Sequence, residues 1–141
     1  MLPLRLVLDT HVVISAVLKP HGLQRTVLLL ALSKPARVCI TADILAEYQD
    51  VLSRPELAIR KGLRRELLQL IRNRAHFVSP LGRLSVTTDP DDNVFVECAD
   101  TARADYLVTG NQRHFPRFWK STKVISSREF IVLVAPHLLS Y

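Results

Sequence analysis

Three acidic residues stand where the fold could bring carboxylates together around a cation. Asp9 directly follows a short apolar segment, and Glu47 and Asp92 each lie in a segment with helical periodicity. Carboxylates that converge without a cation repel one another, by roughly 4 kcal/mol at 4 Å and a protein-like dielectric. A divalent ion would turn this repulsion into attraction, so the pattern points to a metal site.

The elements that must position these acids alternate between strands and helices. Strands are predicted at residues 6–8, 37–40, 106–109 and 123–125, with a minor strand at 76–78. Helices are predicted at residues 12–18, 23–32, 43–53, 59–74 and 91–103, and residues 128–134 form a last helix or, alternatively, an edge strand. This order predicts a three-layer α/β/α sandwich with a central, mainly parallel sheet of roughly five strands.

Length and composition favour a single domain over residues 1–141, because 48% of the residues are hydrophobic and no linker or repeat interrupts them. No apolar run reaches the roughly 18 residues of a membrane span. Asp9 and His11 interrupt the N-terminal region where a signal peptide would be apolar, so a cytoplasmic location without membrane attachment is expected. Cys39 and Cys98 lie in apolar segments and are predicted to be small buried hydrophobes.

The formal charge of +6 would attract polyanions, and nucleic acid is the leading candidate partner. The alternative is that the positive excess only keeps a small protein in solution. The same two interpretations, nucleic-acid binding or solubility, apply to six cations of the predicted helix at residues 59–74. For these cations a solvated face is the preferred interpretation. These cations are Arg60, Lys61, Arg64, Arg65, Arg72 and Arg74.

The segment from Asp89 to Asn93 is an acid-rich helix start. Asp89 could cap the helix, Pro90 could occupy its first position, and the following acids could complement its positive end. On a helical wheel, however, Asp92 lies beside the buried face whereas Asn93 points outward. Asp92 is therefore the predicted inward ligand, with Asp91 in reserve.

The other acids have structural alternatives as well. Asp9 could simply cap the next helix, although a charge that follows a buried strand is costly unless it is paired or bound to a metal. Glu47 flanks the apolar face of its helix, and its stem could lie along that surface while its charge reaches water. Asp9 and Asn111 follow strands and should share one sheet edge, whereas Asp105 precedes its strand and is excluded from the site.

Four segments of the chain together resemble the PIN-domain ribonucleases, in particular the VapC-type toxins of bacterial toxin–antitoxin pairs. They are Val7 to Ala16, Ile44 to Tyr48, Asp89 to Asn93 with Ala99, and Ala104 to Asn111 with His114 and Phe115. Their order and spacing agree with the family over nearly the whole chain. The resemblance implies that Asp9, Glu47 and Asp92 are acidic metal-binding residues and that Asn111 is the fourth member of the catalytic set.

The resemblance further implies metal-dependent hydrolysis of RNA phosphodiester bonds that leaves a 5′-phosphate, a cognate antitoxin and a homodimer. An all-oxygen site suits Mg²⁺ or Mn²⁺. Thr10, Thr109 and Arg113 are the candidate substrate-binding residues. His114, beside Phe115 and Pro116, is expected to be a packed or surface residue.

Two departures from the family pattern keep alternatives open. His11 stands where the family commonly has Asn, so it could change how Asp9 is oriented or approach the metal itself. Asn111 is neutral, which lowers the negative charge of the site and argues against a tightly held second metal ion. A PIN-like module that binds RNA or protein without cutting is therefore the main alternative. Phosphotransfer through Asp9 is disfavoured, because His11 replaces the second Asp that such phosphatases require.

Overall fold

Six strands form one sheet in the computed structural model, which describes residues 3–139. The strands are β1 (Leu4–Leu8), β2 (Ala36–Ile40), β3 (His76–Phe77), β4 (Tyr106–Val108), β5 (Phe118–Trp119) and β6 (Thr122–Ile125). The helices are α1 (Thr10–Leu18), α2 (Leu23–Ala31), α3 (Ala42–Leu52), α4 (Lys61–Arg74), α5 (Asn93–Ala102) and α6 (Ser127–Val134). The predicted alternation of strands and helices is confirmed.

The sheet order is β3-β2-β1-β4-β6-β5, and every pair is parallel except β5 with β6. The prediction of roughly five strands omitted β5. This strand has two residues, too few to show alternation, and it joins β6 through a tight turn at Lys120, which has a positive φ of 54°. Because β2 and β4 flank β1 on opposite sides, the order reverses at β1, and the crevice at its carboxyl end is where open α/β sheets bind ligands.

Helices cover both faces of the sheet. Leu6, Val7 and Leu8 of β1 are each at most 1% exposed, although successive strand residues point to opposite faces. Helix α2 contacts α1 and α6, whereas α3 contacts α4 and α5 and also α1. Cys39 and Cys98 are buried as free thiols, as predicted. None of the helices in the described part of the chain combines the length and apolar character that a membrane crossing requires.

The helix boundaries follow local capping chemistry. Thr41 Oγ1 accepts a hydrogen bond from the backbone of Ile44 and starts α3. Ser126 forms a capping box with Glu129, so the last element is the predicted helix and not the alternative edge strand. Helix α4 begins two residues later than predicted, because a 3₁₀ turn precedes it and ends at Ala58 with a left-handed φ of 51°.

Candidate functional site

The carboxyl ends of β1 and β4 place Asp9 against Thr109. The backbone N–H of Asp9 donates to the Val108 carbonyl at 3.0 Å, which extends the strand pairing by one residue. The Thr109 hydroxyl donates to Asp9 Oδ2 at 2.6 Å, and both side chains are buried. Thr109, predicted to bind substrate, therefore orients Asp9 instead of facing solvent.

Asp9 does not use its side chain to cap α1. Its backbone occupies the N-cap position, yet its carboxylate forms no capping hydrogen bond to the described residues of that helix. Burial raises the pKa of Asp9, while the hydrogen bond from the Thr109 hydroxyl opposes that rise. The carboxylate thus has a desolvation cost that a bound cation would offset.

Asp89 is the residue that caps the acid-rich helix start. Its side chain accepts the backbone N–H of Asp91 at 3.0 Å, and Pro90 opens a 3₁₀ turn that leads into α5. Asp92 ends this turn, is partly buried and forms no capping bond to the described start of α5. Burial, then the charges of Asp9 and Asp89, raise the pKa of Asp92 to about 6. Asp91 is exposed, so Asp92 is the acid that approaches Asp9.

Asn93 is buried, and the prediction that it points outward was wrong. Its Oδ1 accepts hydrogen bonds from the Val86 and Thr87 amides at 3.1 and 3.0 Å and from the Thr87 hydroxyl at 2.7 Å. The wheel assumed a continuous α-helix from residue 91, whereas residues 90–92 form a 3₁₀ turn. Because a 3₁₀ turn rotates about 120° per residue instead of 100°, the phase of α5 shifts relative to the wheel.

Asn93 is the first of three polar residues, four apart, that hold the preceding loop against α5. Glu97, only 4% exposed, accepts the Leu84 amide at 2.9 Å and lies 3.4 Å from Arg83. Thr101 Oγ1 accepts the Leu81 amide at 2.9 Å. We call Asn93, Glu97 and Thr101 the α5 ladder. The ladder supports the loop that leads to Asp89 and Asp92. The sequence analysis did not predict this role, although the i, i+4, i+8 spacing of the three residues is visible in the sequence.

Glu47 lies on α3 beside Tyr48, which ties that helix to the end of β1. The buried Tyr48 hydroxyl donates to the Leu8 carbonyl at 2.5 Å, one residue before Asp9. Glu47 is half-buried, and burial, followed by the charge of Asp91, raises its pKa. The charge of Asp9 also contributes to this rise. Glu47 therefore borders the Asp9–Asp92 region.

Asn111 and His11 lie at the solvent side of this edge. The backbone N–H of Asn111 donates to the Thr109 hydroxyl at 3.0 Å, and the exposed Asn111 side chain forms no cap with the described turn that follows. The His11 ring packs on Gly110, where an added β-carbon would lie 3.0 Å from His11 Cδ2. His11 therefore packs against the turn that precedes Asn111. Thr10 Oγ1 is buried without a hydrogen-bond partner among the described residues, so it could accept a ligand contact.

Arg113 and His114 share the 3₁₀ turn after Asn111 and are exposed. Together with Gly110 and Asn111, they line an open pocket of about 420 Å³. His114 Nδ1 lies 3.6 Å from Asp92 Oδ2. His114 is a surface residue, as expected, but the fold turns it toward the acidic edge. The sequence separation between His114 and Asp92 gives no indication that these two side chains approach each other.

The donor set fits a hard divalent cation in part. Within residues 3–139, no group of three or more His, Cys, Asp or Glu side chains is arranged to hold a metal ion as it stands. Mg²⁺, however, is commonly bound through one or two carboxylates and several waters. Asp9 and Asp92 supply two such carboxylates with raised pKa values, and the unpartnered Thr10 hydroxyl adds a neutral oxygen nearby in sequence.

Comparison with known proteins identifies the family. The PIN domain family profile matches residues 5–113. A crystal structure of VapBC2 from Rickettsia felis, bound to a DNA fragment from its promoter, contains a chain with the same fold at a TM-score of 0.59 and 18% identity. The alignment covers 87% of this chain and 98% of that one. No curated protein matches the sequence significantly. The chain belongs to the PIN domain family.

Proposed function

We propose that this PIN domain is a metal-dependent endoribonuclease and the toxin component of a toxin–antitoxin pair. One observation carries the proposal: a buried carboxylate, Asp9, and a partly buried one, Asp92, lie at the carboxyl edge of the sheet, where the strand order reverses. Burial, and then the charge of Asp9, raise the pKa of Asp92 to about 6. Two carboxylates held this close are unfavourable in an empty site and favourable around a divalent ion.

Each residue of the edge has a defined part in this proposal. Asp9, oriented by Thr109, and Asp92, delivered by the loop before α5, hold Mg²⁺ or Mn²⁺, and Glu47 adds a third carboxylate at the border. When bound, the ion lowers the pKa of an attacking water and stabilises the leaving oxygen of the phosphodiester. Asn111 supplies a neutral amide toward the same edge. Arg113 and the Thr10 hydroxyl contact the RNA backbone.

The test is RNA cleavage by the purified full chain in Mg²⁺ or Mn²⁺ and in EDTA. Asp9→Asn and Asp92→Asn should abolish cleavage. Asp105→Asn is the matched control, because Asp105 lies at the opposite edge, where it accepts the Arg5 amide at 2.8 Å, and Asn keeps an acceptor oxygen. Cleavage that survives EDTA would refute the metal dependence, and cleavage by both site variants would refute the assignment to Asp9 and Asp92. No cleavage by the wild-type chain would refute the nuclease proposal for the RNA used.

A PIN-like module that binds without cutting is the second candidate. It is favoured by the neutral, exposed Asn111 and by the absence, within residues 3–139, of three ligating side chains arranged around one point. RNA binding that is unaffected by Mg²⁺, with no cleavage by the wild-type chain, would support this candidate. An Asn111→Asp variant that gains cleavage would show that the missing charge is the cause.

The toxin role also requires partners. We propose a cognate antitoxin encoded beside this chain, a homodimer and a cytoplasmic location. Support comes from the resemblance to VapC toxins and from the shared fold with a chain of the VapBC2 structure. Co-expression with the neighbouring reading frame should yield a complex that elutes as one species and blocks RNA cleavage. A neighbouring product that neither binds nor inhibits would contradict the toxin role and leave the nuclease role standing.

A further inference from the structure

A cationic groove lies between α3 and α4. It has a volume of about 240 Å³, and its walls contain one polar residue of α3, the C-cap residue of α3 and four cations of α4. These residues are Gln49, Ser53, Lys61, Arg64, Arg65 and Arg72. No acidic side chain of the described chain lines this α3–α4 groove. The one acid on α4, Glu66, lies outside it.

Helix stability can account for Arg72, which lies in the last turn of α4, but not for the other three cations. Lys61 begins α4, at the end of the helix where the dipole disfavours positive charge, and no acid occupies the first turn. Lys61 and Arg65 form a like-charge pair four residues apart, which destabilises a helix. Among residues 3–139, the ion pairs involve other cations and leave the four groove cations without an acidic partner. The groove therefore holds uncompensated positive charge.

One wall of the groove begins close to Glu47, both in sequence and along the axis of α3. Ser53 lies six residues after Glu47 on α3 and its C-cap, which is about 9 Å along the axis. Less than two helical turns of α3 therefore separate Glu47, at the border of the acidic edge, from this wall of the groove.

We propose that the α3–α4 groove is a subsite for the sugar–phosphate backbone of single-stranded RNA beside the cleavage site. The inference rests on the proposed nuclease function and names where that substrate is held. Lys61, Arg64, Arg65 and Arg72 neutralise successive phosphates, while Gln49 and Ser53 contribute hydrogen-bonding groups on the opposite wall. Backbone contacts of this kind position the strand without reading its bases.

The experiment measures binding of a fluorescent single-stranded RNA to the full chain by anisotropy in EDTA, over a range of salt concentrations. Each phosphate contact contributes about 0.7 to the slope of log K against log salt. An Arg64→Gln/Arg65→Gln variant should lower that slope by about 1.4 and weaken binding about 25-fold at 0.1 M salt. A Lys61→Gln/Arg72→Gln variant provides a second, independent test and should have a similar effect.

The matched control is Lys34→Gln/Arg37→Gln, which removes the same charge from a separate cavity at the amino ends of β1 and β2. It should retain near wild-type binding. Equal weakening by the control, or an unchanged slope in both groove variants, would overturn the groove proposal. Polyglutamate that competes as well as RNA per charge would assign the groove to an acidic protein segment and also overturn it.

The outcome for the groove can be separated from that for the nuclease. Cleavage by the wild-type chain, together with unweakened binding by the groove variants, refutes the groove alone. If the wild-type chain neither binds nor cleaves RNA, the proposed function fails as well. Circular dichroism of each variant checks that the exposed substitutions leave the fold intact.

Discussion

Asp92→Asn should stabilise the metal-free protein at neutral pH. In the folded state, burial and the charge of Asp9 raise the pKa of Asp92 from 3.8 to about 6. At 1.36 kcal/mol per pKa unit, this rise corresponds to at most about 3 kcal/mol of destabilisation above pH 6. Solvent screens the partly exposed carboxylate, so the expected gain in the variant is about 1–2 kcal/mol.

The pH dependence of this effect has a defined sign. Between pH 3.8 and about 6, the folded state binds more protons at Asp92 than the unfolded state does. The free energy of unfolding of the wild-type chain therefore falls as the pH rises through this window. Asp92→Asn removes this contribution, so the stability difference between variant and wild type should grow from pH 4 to 6 and then level off.

The assay is urea unfolding in EDTA at several values from pH 4 to 8, followed by circular dichroism. Asp91→Asn is the control, because Asp91 occupies the same turn but is exposed and should change stability by less than about 0.5 kcal/mol. An Asp92→Asn variant that is less stable than wild type at pH 7, or a difference that does not depend on pH, would refute the account of charge strain.

Three further experiments test how the site is supported. Tyr48→Phe leaves the buried Leu8 carbonyl unpaired and should cost about 1–3 kcal/mol in urea unfolding; no loss would show that this bond does not hold α3 against β1. Asn93→Ala should speed amide hydrogen exchange in the loop before α5, because two backbone amides lose their acceptor; unchanged exchange would contradict the α5 ladder. Gly110→Ala should lower the thermal midpoint through its contact with the His11 ring, and His11→Ala should restore most of the loss, whereas additive losses would exclude that contact.

Local sequence was sufficient to place Asp9 and Asp92. A charged residue directly after a buried strand identifies a strand end, and the carboxyl ends of parallel strands share one sheet edge. Asp89 caps the acid-rich turn, an alternative that its position before Pro90 already offered. The choice of Asp92 over Asn93 rested on a helical wheel whose phase the 3₁₀ turn shifts, and Asp92 as a metal ligand stays a prediction. These inferences depend on chain-local chemistry and on topology.

Contacts made by returning segments could not be predicted in this way. The burial of Asn93 depends on a loop that folds back on α5 and on a 3₁₀ turn that resets the helical phase. The approach of His114 to Asp92 depends on where β4 ends relative to α5. Strand β5 is too short to show alternation and forms only through its hairpin with β6. Each of these features depends on tertiary packing and not on local propensity.

The most direct measurement of the central claim is calorimetric titration of the full chain with Mn²⁺ at pH 7. We expect saturable binding to the wild-type chain and at least about tenfold weaker binding to Asp9→Asn and to Asp92→Asn, since even outer-shell substitutions weaken metal sites by 10–100-fold. Asp105→Asn should bind as the wild type does. Binding that is unchanged in both site variants would place the metal elsewhere and contradict the account.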